Sequence, residues 1–224
     1  MQIIDYGAFE YYSGVPSIGV RFDTFPAPFP DVYHTFYDLN GVLDLMDPQW
    51  KFAESVAKLG GLLMLKVADA QILPFDVVRF GQRMKSWIDG DVVDRADAMN
   101  CSIDGHIDML RDAVSEFAGS AQRFDDSVKE YYAENGNDEE RMDAEVVAVY
   151  NGALMEMTRS LLYSEGRPSG KWYKHMIIDS GTRRFPYVWD RITEECDEEH
   201  LEEAFLITEA VIYNAAGLLS SAIE

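Results

Sequence analysis

Residues 103–131, IDGHIDMLRDAVSEFAGSAQRFDDSVKEY, decide the fold class. Ile103, Ile107, Leu110, Val114, Phe117, Ala121, Phe124, Val128 and Tyr131 follow one another at alternating steps of four and three. That spacing holds every apolar side chain on one side of an α-helix and predicts an unbroken seam roughly 43 Å long. A seam of this length needs partners. Residues 138–163 carry Val146, Val149, Tyr150, Leu154, Met157 and Leu161 at similar spacing. Residues 198–223 begin polar and become apolar through Phe205, Leu206, Val211, Ile212, Leu218 and Leu219. With a shorter helix expected over 76–88 and loops at ENGND (134–138) and SEGRPSG (164–170), an antiparallel helical bundle is the natural solution.

The first third of the chain has a different texture. Asp5 is placed to cap a short helix over 6–13, and Gly14 to end it in a left-handed conformation. Val15, Ile18, Val20 and Phe22 follow at roughly strand spacing, and FPAPFP at 25–30 cannot continue either element. A second helix is expected within 32–46. Asp47-Pro48 then looks like an N-cap followed by proline at the first helical position. Residues 49–70 are apolar nearly all round, so that helix is expected to be buried on several sides. One strand cannot satisfy its own backbone groups. The expectation is therefore a mainly α protein with two parts: a fragment of an α/β domain over 1–72, then a helical domain over 73–224.

Composition narrows the partners. Nineteen Lys and Arg against 40 Asp and Glu give a formal charge of −21, a field that repels phosphate backbones and anionic lipid. Nucleic acid binding and direct membrane contact are not expected. The opening MQIIDYGAFEYYSG has neither the basic region nor the apolar run of a signal peptide. No stretch reaches the roughly 20 apolar residues of a membrane span, so a soluble chain is expected. Cys101 and Cys196 make neither a disulfide framework nor a CxxC knuckle, and leave the redox compartment open. Asn100-Cys101-Ser102 fits a glycosylation sequon.

Read residue by residue, the chain offers little chemistry. His34 stands among aromatics, where a packed, hydrogen-bonded histidine is the ordinary outcome, and its segment has no other residue at ligand spacing. His106, His175 and His200 read as surface or helix-end residues. There is no GxSxG, Cys/His pair or phosphate-cradling loop. The acidic run Glu194–Glu199 lacks the spacing of a calcium loop and suits a helix N-terminus.

Several segments in order resemble the C-terminal region of the glutamate carboxypeptidase and transferrin receptor family of zinc peptidases and their relatives. DYGAFEYYSGVPSIGV (5–20) resembles a helix-turn-strand near the end of its peptidase domain, and YHTFYD (33–38) its last zinc-ligand segment. ILPFD (72–76) resembles the join to the helical dimerisation domain. YNGALMEMTRSLLYSEGRP, YKHMII, FPYVWD and the last apolar helix follow that domain's order. The resemblance implies that His34 is a zinc ligand and that Tyr33 contacts substrate and intermediate in an intact parent with two zinc ions. The other ligands and the general base belong to family segments that this sequence does not contain, so no zinc and no peptidase activity are expected of the chain alone. Gln2-Ile3-Ile4 replace a small polar stretch, and the family's substrate-recognition loop is shortened to residues 179–184, where Arg183 or Arg184 could meet a substrate carboxylate. The implied partners are a second copy of the chain and, for the parent, a peptide substrate. The implied location is extracytoplasmic, in a single-pass membrane protein or a secretory or vacuolar one. The alternative is a non-catalytic, transferrin receptor-like receptor or scaffold module, and a weaker third is an independent helical interaction protein.

Overall fold

Along the described residues run α1 (Asn40–Met46), α2 (Lys51–Asp69), α3 (Val77–Trp87), α4 (Asp94–Met99), α5 (Asp104–Asn135), α6 (Ala144–Ser160), α7 (Pro186–Arg191) and α8 (Glu198–Ser221). Two short stretches, Ala8–Tyr12 and Ile88–Val93, wind as looser π-helical turns. The computed structural model describes residues 6–20, 35–37, 39–136, 142–179 and 183–224. Among them the only β pairing is three isolated bridges, Leu162 with His175, Arg167 with Gly170, and Ile178 with Arg184. The strand expected from Val15 onward is not formed over the described residues 15–20, which find no neighbouring strand to share their backbone groups.

The chain divides into two compact units, one of residues 1–17 with 71–224 and one of residues 18–70. The boundary expected after residue 72 lies two residues from the second junction, while residues 6–17 belong with the helical bundle. In the smaller unit, Asp47 caps α2 by accepting from the N–H groups of Lys51 and Ala53, both at 2.9 Å. The helix starts at Lys51 and not at Pro48, because Trp50 adopts a left-handed φ of 54° that interrupts the run. No residue of α2 is buried, against the expectation of burial on several sides; Leu62, Met64 and Leu65 are all more than half exposed. Lys51, Glu54, Lys58, Lys66 and Asp69 interrupt its apolar surface, so the helix is not apolar all round.

In the larger unit, α5 is the axis. Ile107, Leu110, Val114, Phe117, Ala121 and Phe124 of the expected seam are buried, and Val128 and Tyr131 pack partly buried at its end. Helix α3 crosses α5 closely: a Cβ at Gly81 would lie 3.1 Å from Ala118 Cα, and Phe80 meets Phe117 edge to face at 5.8 Å. Helix α6 lies along the far half of α5, where Ser127 Oγ and the Tyr150 hydroxyl are 2.8 Å apart. The Asn151 side chain accepts from Leu73 N–H and donates to Gln71 O, fixing where the chain enters this unit. Aspartates at 76, 143 and 197 cap α3, α6 and α8 by accepting N–H groups of the first turns.

Contact order shows the helix directions. Asp89 with Arg111 and Phe80 with Phe117 make α3 antiparallel to α5, and Tyr131 with Asp143 and Ser127 with Tyr150 do the same for α6. Helix α8 runs the other way. His106 stacks on Phe205 at 5.4 Å, and Ser120 accepts from Ser220 at 3.0 Å, so α5 and α8 are parallel. By length and composition α8 could cross a membrane. Its inward residues Leu201, Phe205, Ile212, Ala215 and Leu219 are instead buried in the core.

Parallel α5 and α8 bring their N-terminal ends together, and there Cys101 and Cys196 form a disulfide with a Cα–Cα distance of 5.2 Å. Nothing in the spacing of the two cysteines along the chain pairs them. The cross-link spans 95 residues, long enough to restrict the unfolded chain strongly. The Cys101→Ser and Cys196→Ser double variant should lose about 2–4 kcal/mol of unfolding free energy in urea titrations. Dithiothreitol should lower the wild-type midpoint and leave the variant unmoved.

Candidate functional site

Helix α8 has two apolar sides. Thr208, Ile212, Ala215 and Leu219 face inward, whereas Leu206, Ala210, Tyr213 and Gly217 repeat the four-three-four spacing on the outside. Leu206 is 48% exposed and Tyr213 41%. Helix α6, which packs on α8, buries Tyr150, Ala153, Leu154 and Met157 but exposes Ala148, Val149 and Met155. These two outward surfaces carry large apolar groups, Leu206 and Tyr213 on α8 and Val149 and Met155 on α6. Large exposed apolar patches mark interaction surfaces more often than accidents of folding. The sequence showed that α8 is apolar. It could not show which side the core would leave uncovered.

The segment 162–191 holds the arginines singled out as substrate candidates. Arg167 and Asp179 form an ion pair at 2.8 Å with each side chain only 2% exposed. Arg183 adds a second guanidinium to Asp179 at 3.0 Å and reaches Asp190 at 3.5 Å. Asp190 also accepts from the Ser169 hydroxyl. A substrate carboxylate would therefore compete with two aspartates for Arg183. The Arg184 guanidinium lies over the Trp87 ring, 4.9 Å from its centroid, and donates to Arg183 O. Tyr33 and His34 lie outside the described residues. Among the described residues, no three His, Cys, Asp or Glu side chains converge to hold a metal ion.

Of the other histidines, His200 sits exposed at the start of α8, 3.0 Å from Asp197. His106 is half-buried against Phe205. His175 departs from its expected surface position and is buried. Its own N–H and that of Lys174 donate to Tyr11 O, which pins the segment against the first helical turn. Its Nδ1 accepts from Ile177 and Ile178 N–H at 3.1 and 3.3 Å. Burial, aided by the nearby Arg167 charge, lowers the His175 pKa to about 3. The spacing of His175 in sequence carries no signal of this, because the burial comes from a segment more than 160 residues earlier.

The sequence profile of the transferrin receptor-like dimerisation domain family matches residues 106–220, the span from the start of α5 to the end of α8. A protein of Arabidopsis thaliana named as a probable glutamate carboxypeptidase is 25% identical over 88% of this chain and 28% of its own length. One of the same name from Arthroderma benhamiae is 27% identical over 84% of this chain and 26% of its own. A human inactive N-acetylated-alpha-linked acidic dipeptidase-like protein is 23% identical over 79% of this chain and 21% of its own. The chain thus spans about a quarter of the length of these relatives.

Two outcomes follow from the buried polar groups. Removing one partner of a buried ion pair strands the other charge, so Asp179→Ala should cost about 3–5 kcal/mol in urea unfolding. His175 is neutral in the fold and titrates from 6.5 when unfolded. The unfolded chain then binds the extra proton at low pH, so this group's contribution is complete above pH 6.5 and declines on acidification toward about pH 3. Its slope should approach about 1.4 kcal/mol per pH unit in that window. Calorimetric unfolding of wild type and His175→Gln across the window measures the difference.

Proposed function

This chain belongs to the transferrin receptor-like dimerisation domain family, and we propose that it is the pairing module of a glutamate carboxypeptidase-like protein, joining two copies through the outer sides of α6 and α8. The observation that carries this reading is the second apolar seam of α8, inside the span that the family profile matches. Two copies related by a twofold axis would present the same patch to each other, an isologous contact. Burying Leu206, Tyr213, Val149 and Met155 there would remove from water the largest exposed apolar groups of α6 and α8.

The remainder of the proposal concerns the parent. His34 would supply one zinc ligand and Tyr33 a substrate contact, with the other ligands coming from residues outside this sequence. Zinc when bound would serve as Lewis acid and activator of water. Arg183 or Arg184 would meet a substrate carboxylate, Arg183 in competition with Asp179 and Asp190. The exposed apolar sides of α2 support a further segment that covers that helix in the parent. The chain alone is expected to be inactive, since a zinc site needs three or four convergent donors. A non-catalytic scaffold is the second reading, favoured by the human relative whose name calls it inactive. A complete zinc-ligand set in the parent would decide for the peptidase.

Leu206→Asp and Val149→Asp place charges where the proposal buries apolar groups, while both positions are exposed within one copy. Each should raise the dimer dissociation constant at least tenfold, a cost of about 1.4 kcal/mol or more. Sedimentation equilibrium measures this. Unchanged association in both variants would place the interface elsewhere.

A further inference from the structure

The larger unit contains a cavity of about 330 Å³ that the pairing function does not use. It opens between the Gly14–Pro16 turn, one side of α3 and the C-terminal turns of α6. Gly14 holds the turn close: its φ is +65°, and a Cβ there would lie 2.9 Å from Arg159 Cα. The walls are mostly apolar, with Phe75, Phe80, Trp87, Met157 and Leu161 among them. Four polar side chains break the pattern, Glu10, Asp76, Thr158 and His175.

His175 is 6% exposed. Its Nδ1 already accepts two backbone N–H groups, so the ring proton belongs on Nε2. Nε2 is not among the fully buried side-chain atoms that lack a partner, so its N–H is open to the cavity, where a bound acceptor would take the place of water. Glu10 contributes a carboxyl group, which disfavours an anion nearby. Asp76, the remaining acid of the wall, is engaged as the cap of α3 and accepts from Arg79 N–H.

We propose that this cavity binds a compact, uncharged aromatic ligand carrying a carbonyl or amide oxygen, with the oxygen accepting from His175 Nε2–H and the ring lying among Phe75, Phe80 and Trp87. A volume of 330 Å³ is at the small end of ligand sites, enough for two fused rings with a short polar group. The dimer face plays no part in this site, so failure of either proposal leaves the other standing.

Naphthalene-2-carboxamide and naphthalene-2-carboxylate differ little in shape but differ in charge, which makes them the probes. Calorimetric titration into the purified chain should show the carboxamide binding at least about tenfold more tightly, a difference of about 1.4 kcal/mol. The carboxamide should also move the His175 Nε2–H resonance in nitrogen-correlated NMR spectra. Glu10→Gln should narrow the gap between the two probes. Val15 lines the cavity and is 41% exposed, so Val15→Trp should close the entrance without disturbing the core, and abolish binding. Absence of carboxamide binding, equal affinity for both probes, or binding that survives Val15→Trp would each overturn the proposal.

Discussion

The parallel contact of α5 with α8 is the constraint on which the bundle rests. Every other helix of the larger unit can be placed by reference to it. Helices α3 and α6 lie antiparallel to α5, while α7 and the segment before it carry the chain back so that α8 can start beside the start of α5. The Cys101–Cys196 disulfide ties the two starts, and the Ser120–Ser220 hydrogen bond marks the same register further along. Between them Phe117, Ile212 and Ala215 are excluded from water, and burial of such groups is the main favourable term in folding. Antiparallel α6 makes most of the return between these parallel neighbours, and residues 162–192 complete it. The returning segment 162–192 is where the buried Arg167–Asp179 pair and His175 are found. An irregular segment held inside a fold must satisfy its backbone and charges locally, which explains why polar groups concentrate there.

Much of this was legible in the residues and some was not. The seam from Ile103 to Tyr131 identifies α5 because apolar spacing depends only on helix geometry, and the Asp47 cap is readable for the same local reason. The direction of α8 follows from the expected antiparallel bundle, because alternation makes the fourth helix run parallel to the second; that these two pack against each other was not readable. The disulfide was hidden because Cys101 and Cys196 become close only once α5 and α8 lie side by side. The alternation at Val15, Ile18 and Val20 is a real pattern, but a strand is a property of its neighbours and residues 15–20 have none. Helix α2 illustrates the converse. Its composition predicts burial, and the described residues leave it exposed.

The site residues divide along the same line. Arg183 and Arg184 were legible as cations in a short loop, but their partners, Asp179, Asp190 and Trp87, follow from the tertiary path. The zinc-ligand role of His34 comes from family resemblance alone. What the fold adds is the two-sided character of α8, whose inner seam builds the bundle and whose outer seam remains available. The chain spans about a quarter of its relatives' length, and the outer seam of α8 is the surface on which the proposed pairing rests.

The most direct test of that account is the molar mass of the purified wild-type chain, measured by light scattering across a dilution series. The account predicts a species of twice 25.4 kDa that gives way to the single chain only on strong dilution. A mass of 25.4 kDa at every concentration would contradict it, because the outer sides of α6 and α8 would then have no affinity for a second copy.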